Sequence, residues 1–240
     1  MSRVKKKWLT VLAGLVLLVT VAFVAFLLDY YRADETAVLA LKSDHVTVNK
    51  TAYGWFLDGP SEDTALIFYP GARVEETAYA PLLHRLAENG MDVCLLKMPF
   101  RLASFDADRA GSVMQEYDYA HWYVGGHSLG GAIAANFAVG HGQELDGVIL
   151  LAAYPSKPLD QKMTEILLYG SEDKILNRKR LEEGKAFAPA YFVEHVISGG
   201  NHAQFGNYGA QRGDGEASVS AEEQQRETVE VILRTLMEKP

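Results

Sequence analysis

The chain has a single cysteine, Cys94, among 240 residues. No intrachain disulfide can form, and no metal centre can be built from cysteine thiolates. Basic residues are scarce: 23 Lys and Arg stand against 31 Asp and Glu, for a formal net charge of −8. Four of the basic ones, Arg3, Lys5, Lys6 and Lys7, precede residue 8. Residues 29–240 therefore carry 19 basic against 31 acidic groups, a net of −12. Such an acidic domain repels phosphate backbones and anionic headgroups, so nucleic acid is excluded as an expected partner. There is no internal repeat and no low-complexity linker, so a solenoid or other repeat architecture is not expected.

Charge is missing altogether from Trp8 to Leu28, WLTVLAGLVLLVTVAFVAFLL. As a helix this run spans about 31 Å, the thickness of a bilayer core. The basic tail, 1–7, precedes it, and the flank that follows (Asp29, Arg32, Asp34, Glu35) is net acidic. The positive-inside rule then predicts a single-pass plasma-membrane anchor, 8–28, with the N-terminus cytoplasmic and the remainder exported. Trp8 at one end and Tyr30 and Tyr31 at the other suit the two interfaces. A cleaved signal peptide is the alternative; its apolar region runs about 7–15 residues and ends in a small-x-small site. Here the run is longer and ends in Leu-Leu-Asp-Tyr-Tyr. Residues 29–35 are read as a linker and 36–240 as one domain, with 48% apolar residues in the whole chain to build its core.

Residues 36–58 alternate loosely and end at Gly59-Pro60, which predicts a hairpin. Strand-like and helix-like segments then alternate: strand 65–69, helix 77–89, strand 91–97, weak helix 103–118, strand 121–125, helix 129–141, strand 145–154, strand 165–169, helix 177–187, strand 191–198 and a closing amphipathic helix 219–238. This pattern predicts an α/β fold with a mostly parallel sheet covered on both faces. Ligands of such sheets bind beyond the carboxyl ends of the strands, so functional residues should follow strands directly.

Ser128 does so, in Gly126-His127-Ser128-Leu129-Gly130. A serine on a tight strand-to-helix turn needs small neighbours, and the helix N-terminus behind it favours developing negative charge. The Leu129 amide would be one oxyanion donor. Of seven histidines only His202 follows the carboxyl end of a strand, in Gly199-Gly-Asn-His-Ala-Gln-Phe-Gly206. His84 and His195 fall inside elements, His45 and His121 at or near strand starts, His141 at a helix end and His127 within the serine turn. A carboxylate must orient the imidazole. Both Glu172 and Asp173 follow strand 165–169; the shorter Asp173, before the apolar Ile175, is the expected one. The turn Pro70-Gly71 after the first central strand would aim the Ala72 amide as a second oxyanion donor. Arg73 and Arg101 also follow strands and are candidates for holding a substrate carboxylate.

Ser128, Asp173 and His202, in that order on such a sheet, resemble the α/β-hydrolase superfamily over about residues 65–235. More narrowly, YPGARV, GGHSLGG, LDGVILLAAYP and GGNHAQFGNYGAQRGDG resemble a subgroup of small bacterial hydrolases, many with an N-terminal membrane segment. The resemblance implies Ser128 as nucleophile, Asp173 as acid and His202 as base. It implies a serine hydrolase acting on a small ester-type acyl substrate through an acyl-enzyme, with no metal and no organic cofactor. Thioester, lactone or amide cleavage by the same triad is the alternative, and a tethered binding protein that has lost its chemistry is another. Where relatives carry a cap, only Pro155–Thr164 lies between strands 145–154 and 165–169, so no lid is expected.

Overall fold

A computed structural model describes residues 3–42, 45–60 and 63–238. The chain forms two compact units, Met1–Tyr30 and Tyr31–Pro240. The first is a helix, α1 (Arg3–Leu28). Its stretch Val11–Leu28 is long and apolar enough to cross a membrane. The Thr20 hydroxyl inside that stretch donates to the Val16 carbonyl at 2.9 Å, so it leaves no unmet donor on an apolar surface.

The second unit is built on an eight-stranded sheet: β1 (Thr47–Lys50), β2 (Gly54–Asp58), β3 (Thr64–Tyr69), β4 (Asp92–Leu96), β5 (His121–His127), β6 (Gly147–Leu151), β7 (Thr164–Gly170) and β8 (Tyr191–Ile197). The order is β1-β2-β4-β3-β5-β6-β7-β8. The β1–β2 and β2–β4 pairings are antiparallel and the rest parallel. Successive strand residues point to opposite faces, and both faces are covered. Leu66, Phe68, Leu95 and Leu168 pack with α3 (Ala80–Glu88) and α7 (Ala221–Met237). Ile67, Cys94, Val124 and Leu167 pack with α4 (Arg109–Glu116), α5 (Leu129–Gly140) and α6 (Arg178–Gly184). Strands buried on both sides are apolar along most of their length, which is why ALIFY and the ILLY of β7 read as continuous runs. A capping box starts α7: Ser220 Oγ accepts from the Glu223 amide, and Glu223 accepts from the Ser220 amide.

Three expectations need correction. The predicted hairpin over 36–58 is confined to β1–β2; its first part is a helix, α2 (Glu35–Ala40), whose N-cap Asp34 accepts from the Ala37 amide. The predicted linker 29–35 is part of the compact domain from Tyr31 onward. Tyr31 exchanges backbone hydrogen bonds with Arg73 and Glu75 at 2.8 and 2.9 Å, and its ring lies 5.4 Å from that of Tyr208. Partners forty or more positions away leave no local pattern for the stretch around Tyr31. The weak helix 103–118 is α4 alone, preceded by two short 3₁₀ turns at Pro99–Arg101 and Ala103–Phe105. Between β6 and β7 the chain runs without a helix or strand, so nothing there forms a lid.

One core residue breaks the apolar pattern. Glu165 in β7 is fully buried and neither carboxyl oxygen has a hydrogen-bond partner. Burial pushes its pKa from 4.5 up to about 8. The folded state thus keeps a proton that the unfolded chain releases, and stability drains away as pH rises between those two values. Glu165→Gln removes this drain. Its stability relative to the parent should improve by about 1.4 kcal/mol per pH unit across that window. Urea melts at pH 5 and pH 8 check this; a gap that does not widen with pH would show that the carboxyl is not protonated.

Candidate active site

β5 ends at His127, and the chain turns at Ser128 straight into α5. Ser128 has φ 54° and ψ −122°, a strained conformation for a residue with a Cβ. Its amide donates to the Leu151 carbonyl of β6 at 2.9 Å, and its carbonyl accepts from Ala132 at 3.1 Å, so backbone bonds on both sides hold the strain. The turn fits only because Gly130 lacks a side chain: a Cβ there would sit 2.2 Å from the Tyr69 carbonyl oxygen and 2.4 Å from that of Pro70. The turn after β3 is thereby pressed against the start of α5. Leu129 opens α5, so its amide has no intrahelical acceptor. The Ala72 amide, in the turn that follows Pro70-Gly71, donates to no acceptor among the described residues.

His202 follows β8 and is 1% exposed at its side chain. Its Nδ1 lies 2.8 Å from Asp173 Oδ2. Asp173, after β7, has a side chain with no exposure; its other oxygen accepts from the amides of Ile175 and Leu176 at 2.9 and 2.8 Å. This turn aims the second oxygen at the imidazole. Glu172 is exposed, and its carboxylate accepts from the neighbouring Ser171 hydroxyl. His202 Nε2 is buried without a hydrogen-bond partner. Ser128, Leu129 and His202 line one cleft of about 400 Å³, walled by Ala132, Ala152, Leu176 and other small or apolar residues. A larger cavity, about 590 Å³, opens elsewhere, at the amino ends of β3 and β5 beside Thr64 and His121, and holds none of these groups.

The loops that carry Asp173 and His202 are clamped together by residues without a signal of their own in the sequence. Asp214 accepts from the amides of Ala203 and Lys174, one in each loop. Asn201, beside His202, is fixed by Gln224 of α7 through two backbone bonds and donates to the Gly215 carbonyl. These roles account for Asn201 and Asp214 in GGNHAQFGNYGAQRGDG, where the histidine carried the visible chemical signal.

The structure does not bring Arg73 or Arg101 into the cleft. Arg101 lines a separate cavity of about 160 Å³ with Glu75, Glu76 and Lys97. Arg73 sits in a turn with φ 59°, its amide donating to the Arg101 carbonyl at 2.9 Å. The arginine that does line the cleft is Arg180 of α6, with Asn177 and Ser156. Cys94, buried in β4, has its thiol pushed upward by burial, which disfavours the reactive thiolate.

The sequence model of the alpha/beta hydrolase family matches residues 65–226. A comparison with curated proteins finds no significant match. Among solved structures, a bacterial membrane phospholipase A described as a virulence factor is 12% identical, with a TM-score of 0.60 over 95% of this chain and 98% of that one. An alpha/beta hydrolase from a sediment metagenome of the Mar Chica lagoon is 14% identical, with a TM-score of 0.60 over 82% and 99%. Acyl-protein thioesterase 2 of Zea mays is 11% identical, with a TM-score of 0.56 over 75% and 97%. At these identities the likeness concerns the fold.

Proposed function

Because the chain belongs to the alpha/beta hydrolase family, we propose that it is a membrane-anchored serine hydrolase that cleaves an ester-type acyl bond through Ser128, His202 and Asp173. The observation that carries this reading is the 2.8 Å bond between Asp173 and a buried His202 whose Nε2 is left without a partner in the cleft that Ser128 lines. Asp173 accepts from Nδ1–H, which leaves the Nε2 lone pair to take the Ser128 proton. Ser128 Oγ attacks the acyl carbon. The amides of Leu129 and Ala72 receive the oxyanion, and the dipole of α5 adds to them. The imidazolium returns its proton to the departing alcohol. Water, deprotonated by the same Nε2, then releases the acid from the acyl-enzyme. The cleft has small walls and no lid, which suits short, soluble acyl groups, since each further CH₂ gains about 0.8 kcal/mol only where a wall buries it.

The apolar helix within residues 3–28, with basic residues before it and an acidic flank after it, supports an anchor with the hydrolase outside the cytoplasm. One experiment addresses both parts. A membrane-impermeant, sulfonated fluorophosphonate should label the full chain in intact spheroplasts as completely as after lysis. Labelling only after lysis would reverse the topology, and no labelling in either would remove the nucleophile.

A further inference from the structure

Behind the cleft, on the buried side of the nucleophile turn, lies a polar pair that the mechanism above does not use. Tyr79, just before α3, and His127, the last residue of β5, are 0% and 1% exposed. The Gly71 amide donates to Tyr79 Oη at 3.1 Å, and Tyr79 Oη lies 2.8 Å from His127 Nδ1. A Cβ on Gly71 would sit 2.7 Å from Tyr79 Oη and 2.8 Å from His127 Nδ1, so the turn rests directly on this pair. The His127 ring in turn lies against that of His202, with centroids 4.5 Å apart.

Among the described residues, the Tyr79 hydroxyl has one acceptor within reach, His127 Nδ1. The phenol stays protonated because burial raises its pKa, and its surroundings are aromatic: Phe68 at 5.2 Å and Tyr208 at 6.4 Å between centroids. Gly71 already donates into one lone pair, so the hydroxyl donates to His127 Nδ1. His127 is kept neutral, first by burial and then by the neighbouring His202. When His202 becomes an imidazolium, it therefore does so without a second cation against its ring.

We propose that Tyr79 and His127 are positioning residues of the active site, whose hydrogen bond fixes the Gly71 peptide so that the next amide, at Ala72, stays aimed at the oxyanion. This inference rests on the reading of Ser128 as nucleophile. Neither side chain touches the cleft; both act through the turn. Tyr79→Phe keeps the ring and removes the hydroxyl, leaving the Gly71 amide without its acceptor.

The test is steady-state hydrolysis of p-nitrophenyl acetate by the full chain in detergent, with thermal melts run alongside. Tyr79→Phe should lower kcat roughly 10- to 100-fold, less than outright removal of an oxyanion donor, with KM within about twofold. His127→Asn, which keeps an acceptor near the Nδ1 position, should be at least about tenfold more active than His127→Leu. The double variant Tyr79→Phe with His127→Leu should be no slower than the worse single variant, because both remove one shared bond. A folded Tyr79→Phe with kcat within about twofold of the parent overturns the proposal, as does a loss confined to KM. So does a double variant whose kcat losses multiply. If Tyr79→Phe does not fold, equal kcat for His127→Asn and His127→Leu overturns it. Failure of the underlying reading is separately visible as undiminished turnover by Ser128→Ala.

Discussion

Ser128→Ala should give a folded protein that takes up no fluorophosphonate and hydrolyses p-nitrophenyl acetate more slowly by a factor on the order of 10⁶. The size of the loss follows from the proposed role of the hydroxyl: without Oγ no acyl-enzyme can form, and His202 would have no proton to take. What remains is binding and the oxyanion donors, worth ~10³-fold over water in such sites. The fold should be untouched. The two bonds that hold the turn, from the Ser128 amide to Leu151 and from Ala132 to the Ser128 carbonyl, are backbone bonds. Alanine also keeps the Cβ, so the strain at φ 54° neither grows nor disappears. Thermal melts of parent and variant should therefore coincide while activity and labelling vanish. Undiminished turnover in a pure sample would place the nucleophile elsewhere.

Much of this architecture was legible in the chain because its physics is local. Inner strands of a parallel sheet are covered on both faces, so β3, β6 and the Ile166–Tyr169 stretch of β7 stand out as apolar runs. The serine turn stands out because close approach of β3 and α5 demands glycine, and Gly130 has no room for a Cβ. His202 could be reached by asking which histidine follows a strand at its carboxyl end.

Other features have no local signal. Glu172 and Asp173 are adjacent and chemically alike; what separates them is that Asp173 closes a turn onto Ile175 and Leu176, a geometry of side-chain length rather than of pattern. Arg73 and Arg101 follow strands as expected of cleft residues, yet left-handed backbone at both (φ 59° and 57°) accompanies a course away from it. Tyr79 looks like any aromatic beside an amphipathic helix. Its hydroxyl matters only because β5 ends in His127 and the β3 turn folds back over both. Tyr31 likewise finds Val74 only in three dimensions.

Asp173→Asn should cost about 10⁴-fold in kcat with the fold intact, the loss expected when triad geometry survives but the tautomer is wrong. The amide can sit in two orientations. In one, its oxygen takes the place of Oδ1 and keeps the bonds from the Ile175 and Leu176 amides, while its NH₂ faces His202 Nδ1. In the other, the oxygen faces His202 but the NH₂ confronts two backbone N–H donors. That second arrangement forfeits two hydrogen bonds, one part-buried and one buried, at about 1–3 kcal/mol for a buried donor left unmet. The first is therefore the one adopted. Its NH₂ donates to Nδ1, which drives the imidazole proton to Nε2, the nitrogen that must accept from Ser128. The turn after β7 is preserved, so thermal stability should change little, whereas Asp173→Ala would lose the turn as well as the tautomer. Glu172→Gln is the control: its side chain is exposed and its carboxylate bonds the Ser171 hydroxyl, so kcat should stay within about twofold. Measured kcat values for Asp173→Asn and Glu172→Gln in the full chain decide the matter. A larger loss in Glu172→Gln than in Asp173→Asn would mean that the working carboxylate is the exposed one, reached only after the loop following β7 rearranges.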